Sequence, residues 1–247
     1  HSNADDADNY IKNYKAIAGI NADFYNMSNG APSGALVMNG VEYNGAGNED
    51  FFAILKDGSP VIGTSSEWAS YKNQVKEAVG AGGILVKDGK MAFDPSTSYT
   101  SNRVSRTCVG ITYDGKVVFM VLDGRQEPFS AGGSPEEIAQ VMIDAGCVSA
   151  VNLDGGGSST FVSKAEGADD VSVVNSPSDG YERSVASSLM MVSTAKPSTE
   201  FDHALISSDY DYLSVGSSID LTTTGVSATG SSVNLPDGAT LKVSDES

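Results

Sequence analysis

The residues best suited to chemistry lie in the segment 152–160, which reads NLDGGGSST. Asp154 supplies a carboxylate, and Gly155, Gly156 and Gly157 follow it directly. Because glycines lack Cβ, the N–H groups of such a loop can approach a ligand closely and form a site for an anion. Ser158 adds a hydroxyl group. The pattern predicts a loop that binds a phosphate or a sugar hydroxyl beside a carboxylate.

Several other kinds of active site do not fit these residues. The two histidines, His1 and His203, lie outside the motif region, which removes the usual general base and most zinc sites. Ser158 lacks a histidine partner and a G-x-S-x-G elbow, so a serine nucleophile is disfavoured. No lysine follows the glycines as it would in a Walker A motif. The chemistry that remains uses carboxylates and arginines.

A strand, helix and strand are predicted on the N-terminal side of the glycine loop. Residues 117–122 and 148–153 are continuous apolar segments of the kind that form buried strands. Ser134 suits a helix N-cap, Glu137 completes a capping box with it, and Gly146 suits the C-terminal cap. We therefore predict a βαβ unit over residues 117–153.

The two strands of this unit lead into acidic residues, Asp123 and Asp154. Strands joined through a helix run parallel, either adjacent or nearly so, and their carboxyl ends therefore lie at one edge of the sheet. Ligands bind in the crevice at that edge in open α/β sheets. We expect Asp123, Asp154 and Arg125 to converge there in a polar site. Read alone, Asp123-Gly124 is equally typical of a turn.

Four Asn-Gly or Asp-Gly pairs lie between β-type segments, at residues 39–40, 57–58, 88–89 and 114–115. Such pairs between apolar segments are the strongest short-range signal for a β-hairpin. Short helices are predicted over residues 6–15 and 67–78. The fold class that follows is α+β: a mixed β-sheet built from hairpins around a βαβ unit.

The composition changes near Pro197. Residues 197–247 are rich in Ser, Thr, Gly and Asp and contain short alternating segments that are typical of strands. About fifty residues cannot complete an Ig-like sandwich of about one hundred. We therefore expect residues 1–196 to form the main domain. We expect residues 197–247 to be a C-terminal β-rich partial Ig-like segment, the start of a module that continues beyond Ser247.

Charge restricts the class of partner. The net charge is −17, from 15 basic and 32 acidic residues, which argues against a nucleic acid or an anionic membrane surface. No apolar segment approaches the roughly 18 residues of a membrane-spanning helix. Cys108 and Cys147, the two cysteines, are either buried thiols or one disulfide. A phosphate substrate would need a local basic site, and Arg106, Arg125 and Arg183 are the candidates to form it.

Several short segments together resemble the phosphodiester glycosidase family over residues 15–195. They are NADFY (21–25), PSG (32–34), SRTCVG (105–110), DGR (123–125), NLDGGGSST (152–160) and PSD (177–179), followed by Arg183. A lone glycine-rich segment would be weak support, whereas several motifs at matching places are strong support. Two departures stand out. Asp23 occupies a position where the family often has glycine, and Arg125 occupies one where glutamine occurs in the family, so we expect Arg106 rather than Arg125 to serve in catalysis.

The resemblance implies a hydrolase that cleaves a sugar-1-phosphodiester on a glycan or wall polymer of a bacterial cell, in a secreted or cell-surface protein. It implies no required cofactor. Arg106 and Arg183, with the amides of the glycine loop, would bind the phosphate. Asp154 or Asp123 would act as base, nucleophile or oxocarbenium stabiliser. Asn21 and Asn152 would position sugar hydroxyls. The further candidates for substrate contact are Asp23, Phe24, Arg125, Ser158 and Asp179.

Two alternatives stay open on the residues alone. The same arginines and glycine loop could bind a glycan or a phosphate polymer without cleaving it, as a non-catalytic cell-surface module. Asp123, Asp154 and Asp179 could also hold Ca²⁺ or Mg²⁺, which prefer oxygen ligands, although no EF-hand spacing is present. Carboxylates held by arginine alone are the simpler interpretation of these three residues.

Overall fold

The protein is described here by a computed structural model that covers residues 16–92, 102–210 and 212–242. The chain divides into two compact units. Unit 1 comprises His1–Ser163 and Val173–Val192, and unit 2 comprises Lys164–Ser172 and Ser193–Ser247. The helix predicted over residues 6–15 lies outside the described residues.

Strands dominate the described part of the chain, with few helices. In chain order the strands are β1 (Ala18–Asn21), β2 (Leu36–Met38), β3 (Val41–Asn44), β4 (Asp50–Leu55), β5 (Pro60–Gly63), β6 (Val75–Ala81), β7 (Ile84–Lys87), β8 (Lys90–Met91), β9 (Arg106–Thr112), β10 (Val117–Leu122), β11 (Cys147–Asn152), β12 (Phe161–Lys164), β13 (Val171–Val173), β14 (Ser188–Met191), β15 (Phe201–Ser207), β16 (Thr222–Ser227) and β17 (Ser232–Val233). The α-helices are α1 (Trp68–Tyr71) and α2 (Pro135–Asp144), and 3₁₀ turns span Ser65–Glu67 and Gly156–Ser158.

The sheet that carries the predicted βαβ unit has the strand order β10-β9-β11-β7-β8. Strands β10 and β11 both pair antiparallel with β9, so they run parallel to each other with β9 between them. The expectation of a mixed sheet is wrong here. Strand β9, the hairpin partner of β10, lies beside β11, so the two parallel strands β10 and β11 do not pair with each other. The β10 and β11 ends nevertheless share one edge, where β9 begins.

Helix α2 covers one face of this sheet. Ser134 is its N-cap: the Ser134 hydroxyl accepts a hydrogen bond from the Glu137 amide, and the Glu137 carboxylate accepts one from the Ser134 amide. Ile138 and Met142 are fully buried against strand residues such as Cys108 and Ala150. The predicted helix and its capping box are confirmed.

All four predicted hairpins are present, as the pairs β2–β3, β4–β5, β7–β8 and β9–β10. The helix predicted over residues 67–78 is wrong, because α1 ends at Tyr71 and β6 begins at Val75. Strand β6 lies between β2 and β4 in the sheet β3-β2-β6-β4-β5. Pairing on both sides outweighs the local helical tendency.

The main core of unit 1 lies where these sheets face each other. It includes Ile20 of β1, Phe52 of β4, Val109 of β9 and Leu153 after β11. Strand β1 belongs to a further sheet, β13-β12-β1-β14. Because β1 and β11 share this core, the residues that follow each strand are held beside one another.

Unit 2 contains the antiparallel sheet β15-β16-β17. Residues 164–172 cluster with the C-terminal segment, so unit 2 also includes a part of the chain from the proposed main domain. Cys108 and Cys147 are both buried free thiols, and the disulfide alternative is wrong. No helix among the described residues is long and apolar enough to cross a membrane.

Candidate active site

The loop that follows β11 is fastened to the end of β1. The Asp154 amide donates to the Ala22 carbonyl at 2.9 Å, and Nδ2 of Asn21 donates to the Asp154 carbonyl at 2.6 Å. Oδ1 of Asn21 also accepts hydrogen bonds from the Thr107 hydroxyl at 2.7 Å and the Thr160 amide at 3.1 Å. Asn21 is fully buried. It therefore fixes both ends of the glycine loop, and the structure does not place it where a sugar hydroxyl could reach it.

The glycine loop turns back on itself in a 3₁₀ turn. The Gly156 amide donates to the Ser105 carbonyl at 2.9 Å, and Gly156 has a φ of +63°, a conformation that favours glycine. The Gly156 N–H group is therefore hydrogen-bonded within the protein and does not point toward an anion. The expectation that three successive amides bind phosphate does not hold for Gly156.

The glycines instead allow two arginine side chains to lie against the loop. A Cβ at Gly156 would lie 3.2 Å from both Nη atoms of Arg125. A Cβ at Gly157 would overlap Nη2 of Arg183 and Oδ2 of Asp179, and would lie 2.6 Å from Cζ of Arg183. Two guanidinium groups thus lie over adjacent residues of one loop, and that of Arg183 also acts on the Asp154 carboxyl group. This arrangement concentrates two cationic side chains at one loop of an acidic protein.

Asp179 orients one of these arginines. Nη2 and Nε of Arg183 donate to Oδ2 of Asp179 at 2.7 and 3.1 Å. This hydrogen bonding raises the pKa of Arg183 above its usual value. Arg183 keeps part of its surface exposed. The interpretation of Asp179 as a carboxylate held by arginine thus agrees with the structure, whereas substrate binding by Asp179 itself stays a prediction.

The Asp154 carboxyl group is partly buried in this setting. Burial raises its pKa, while the Ser158 hydroxyl, the Gly155 amide and the Arg183 guanidinium act in the opposite direction. Ser158 itself is buried. A carboxyl group balanced in this way can serve as a base or nucleophile near neutral pH.

Tyr25, the last residue of the NADFY segment, is an aromatic residue of the site. Its hydroxyl donates to the Ser184 carbonyl at 2.5 Å. Burial raises the pKa of Tyr25, the Asp154 carboxylate raises it further, and Arg183 lowers it. The phenol thus lies near both charged groups. Its position in the NADFY segment was the available signal.

Asp123 lies at the same sheet edge but is held by a neighbouring loop. Its carboxylate accepts hydrogen bonds from the Ser176 amide at 3.0 Å and from Nδ2 of Asn175 at 2.9 Å. Nδ2 of Asn175 also donates to the Ser159 carbonyl at 3.1 Å. Asp123 therefore connects the end of β10 to residues 175–176, and a catalytic role for it stays a prediction.

Arg106 does not join the other arginines. It is 4% exposed, and its guanidinium donates to the carbonyls of Gly133 at 3.2 Å and Asn102 at 2.9 Å. Because side chains alternate along β9, Arg106 shares a face with Cys108, which packs against α2. Thr107 points to the opposite face, toward Asn21. Phosphate binding by Arg106 is thus less well placed than binding by Arg125 or Arg183.

The remaining candidates lie around the loop. Asn152 is buried, and its Nδ2 donates to the Leu153 carbonyl at 2.7 Å. Phe24 is half-buried, and Asp23 is 2% exposed. Within residues 16–92, 102–210 and 212–242, no group of three or more His, Cys, Asp or Glu side chains could hold a metal ion.

Comparison with known proteins agrees with the arrangement of these segments. A family model described as phosphodiester glycosidase matches residues 14–192, which span the glycine loop, Asp179 and Arg183. The chain belongs to the phosphodiester glycosidase family. This membership also accounts for the order of the short motifs along unit 1.

Two relatives illustrate the range of this phosphodiester glycosidase family. The chain is 31% identical over 160 residues to the N-acetylglucosamine-1-phosphodiester alpha-N-acetylglucosaminidase of Bos taurus, an alignment that covers 58% of this chain and 30% of the relative. It is 28% identical over 188 residues to the SPbeta prophage-derived uncharacterized protein YomE of Bacillus subtilis (strain 168), covering 72% of this chain and 28% of the relative. The chain thus spans less than a third of either relative.

Solved structures support the fold. The zebrafish N-acetylglucosamine-1-phosphodiester alpha-N-acetylglucosaminidase catalytic domain, auto-inhibited by its pro-peptide, superposes with a TM-score of 0.68 at 21% identity, covering 78% of this chain and 68% of that chain. A Burkholderia pseudomallei protein described as exported superposes with a TM-score of 0.56 at 16% identity, covering 77% and 68%. At these identities the likeness concerns the fold alone.

Proposed function

We propose that this phosphodiester glycosidase hydrolyses a sugar-1-phosphodiester, of the α-N-acetylglucosaminyl type, on a bacterial glycan or wall polymer outside the cell. One observation carries the proposal. Two guanidinium groups, from Arg125 and Arg183, lie over Gly156 and Gly157, and the Arg183 guanidinium is close enough to the partly buried carboxyl group of Asp154 to act on its pKa. The phosphodiester of the substrate suits the guanidinium groups, and the anomeric carbon joined to it suits the carboxyl group. The two kinds of group must therefore lie close together.

The phosphate is the part of the substrate that suits the arginines. A guanidinium binds phosphate oxygens through paired N–H groups and keeps its charge at every relevant pH. The departing phosphate gains negative charge as the glycosidic bond breaks, so cations held in place beforehand stabilise the transition state more than the ground state. In this proposal Asp179 holds Arg183 in position for that step.

Asp154 would act at the anomeric carbon. In the direct version of the reaction, water attacks this carbon, the bond to the phosphate oxygen breaks, and Asp154 accepts the proton of the water. In the two-step version the carboxylate attacks first and water then releases the sugar. The phosphate leaves as a weakly basic anion in both versions, so a second carboxylic acid is less important than in ordinary glycoside hydrolysis. The proposed reaction therefore depends less on Asp123 as a second catalytic carboxyl group.

The first test is hydrolysis of UDP-N-acetylglucosamine and of a simple α-N-acetylglucosaminyl phosphodiester, with NMR detection of the anomer released. We expect Asp154→Asn to lower kcat by about 10³-fold or more, because the carboxylate at the reacting carbon is lost. We expect Arg183→Gln to lower kcat/KM by about 10²-fold to 10³-fold. Turnover by Asp154→Asn at the wild-type rate would rule out this assignment.

A matched control shows whether removing an ion-paired arginine elsewhere has the same effect as removing Arg183. Arg103 forms an ion pair with Glu137 at 2.6 Å, outside the site. Arg103→Gln should therefore leave kcat/KM within about twofold of the wild type. Binding of the substrate without release of sugar by the wild type would instead favour the non-catalytic surface module.

A further inference from the structure

Asp23 is a buried acidic residue that the proposed mechanism does not use. It follows β1 and is 2% exposed. Oδ2 accepts a hydrogen bond from the Gly34 amide at 2.7 Å. Oδ1 is buried and has no hydrogen-bond partner among the residues that the structure describes. An ionised carboxyl group in such a place is costly, because burial separates its charge from bulk water.

The surroundings of Asp23 offer little to stabilise a negative charge. Its carboxyl group lies against the backbone of Gly34 and Gly80, and a Cβ at Gly80 would lie 2.5 Å from Oδ2. The charged groups that act on it are the carboxylates of Glu49 and Asp154, both of which raise its pKa. Burial is the largest cause, and the pKa of Asp23 is raised to about 7, although the amides of Gly34 and Phe24 act to lower it.

The backbone around Asp23 supports Asp154 directly. The Ala22 carbonyl accepts from the Asp154 amide at 2.9 Å, and the Ala22 amide donates to the Ser187 carbonyl at 3.1 Å. The Asp23 amide donates to the Ser187 hydroxyl at 3.2 Å. Residues 21–23 therefore lie between the glycine loop and the residues just before β14, and Ala22, the neighbour of Asp23 in the chain, is hydrogen-bonded to the Asp154 amide.

We propose that Asp23 is a positioning residue that supports Asp154 only while it is uncharged, so that loss of its proton lowers turnover. This inference rests on the proposed function. Ionised Asp23 would add a negative charge close to Asp154, which would hold a proton more tightly on Asp154 and disfavour the bound phosphate.

The direction in which turnover changes with pH follows from the protonation states that Asp154 and Asp23 must have. Asp154 must lose its proton to act as base or nucleophile, so turnover rises with pH through the raised pKa of Asp154. Asp23 must keep its proton, so turnover falls as the pH rises through about 7. The wild type should therefore show a bell-shaped dependence of kcat/KM on pH.

The test measures kcat/KM from about pH 5 to about pH 9 for the wild type, Asp23→Asn and Glu49→Gln. Asparagine resembles the uncharged carboxyl group in shape and cannot ionise. We expect it to keep the activity near pH 6 and to abolish the fall, which in the wild type is about tenfold per pH unit above the pKa. Removing the Glu49 carboxylate lowers the pKa of Asp23, so Glu49→Gln should move the fall to lower pH. A fall that is unchanged in Asp23→Asn would overturn the proposal.

A second measurement does not depend on activity. Carboxyl groups of ¹³C-aspartate-labelled protein are titrated by NMR, and the signals of Asp23 and Asp154 are assigned from the spectra of Asp23→Asn and Asp154→Asn. We expect Asp23 to titrate near neutral pH and Asp154 to respond to that titration. An ordinary aspartate pKa for Asp23, or an Asp154 signal that ignores it, would overturn the inference. Failure to hydrolyse any sugar phosphodiester, with the coupled titration present, would overturn only the proposed function.

Discussion

Each glycine of the Gly155–Gly157 loop faces a different neighbour. A Cβ at Gly155 would lie 2.9 Å from the Ser105 carbonyl oxygen, whereas a Cβ at Gly156 or Gly157 would meet the side chains of Arg125 or Arg183. The three glycines are thus required for different reasons. Two of them create room for cations, which is a more specific role than general flexibility.

Alanine at Gly157 tests this role. Gly157 does not have a positive φ, so alanine is tolerated by the backbone there, and its Cβ would displace only the ends of the Arg183 and Asp179 side chains. We expect Gly157→Ala to lower the free energy of unfolding by about 1 kcal/mol or less and to lower kcat/KM by about 10²-fold. Urea unfolding and steady-state kinetics provide the two values.

Gly124 offers a contrasting substitution. A Cβ there would lie 2.5 Å from the Ser105 backbone nitrogen and 2.7 Å from Gly132 Cα, and backbone atoms cannot move aside as side-chain ends can. Gly124→Ala should therefore lower stability by more than Gly157→Ala. A Gly157→Ala protein that keeps wild-type kinetics would show that Arg183 need not lie over the loop.

At the scale of the elements, strands β9, β10 and β11 with helix α2 bring the site residues to one edge. Helix α2 is the connection that lets β10 and β11 run in the same direction with β9 between them. Its start is secured by the capping box of Ser134 and Glu137, and Arg103 pairs with Glu137 from the preceding segment. The helix end thus also fastens the residues that lead into β9.

Removal of the N-cap hydroxyl should destabilise this connection modestly. Ser134→Ala deletes the acceptor for the Glu137 amide, and we expect a loss of about 1 kcal/mol in the free energy of unfolding. Because α2 lies outside the site, kcat/KM should stay within about twofold. Ser172→Ala, at an exposed position outside any helix, is the control and should change stability by less than about 0.5 kcal/mol. Equal effects of the two substitutions would contradict a capping role.

At the scale of the whole molecule, the net charge of −17 contrasts with the two arginines that the site presents. Long-range repulsion of an anionic substrate grows with the number of charges that the substrate carries, whereas the arginines act only at short range. Charge on the whole protein therefore influences how fast a substrate arrives, and the arginines decide how it is held.

This division predicts an unusual effect of salt. Raising NaCl from about 20 mM to about 300 mM shortens the Debye length, so kcat/KM should rise for a polyanionic phosphodiester polymer relative to a substrate with a single phosphate. The measurement compares both substrates in the same buffers. A ratio that falls with salt would mean that attraction by Arg125 and Arg183 dominates the approach as well as the binding.

The features that the sequence by itself determined are those that depend on residues close together in the chain. The four Asn-Gly or Asp-Gly turns, the capping box at Ser134 and the apolar segments of β10 and β11 are local signals, and each is present in the structure. The family resemblance likewise followed from short segments, and the match over residues 14–192 confirms it.

Tertiary structure alone decided the direction and surroundings of the polar side chains. Arg106 points toward the α2 face, and Asn21 forms hydrogen bonds with the ends of the glycine loop. Asp23 is enclosed by Gly34 and Gly80. Residues 75–78 became strand because β6 pairs with β4 along its length and with β2 at Ala78 and Val79. These outcomes depend on contacts between residues far apart in the chain, and local propensity and spacing contain no information about them.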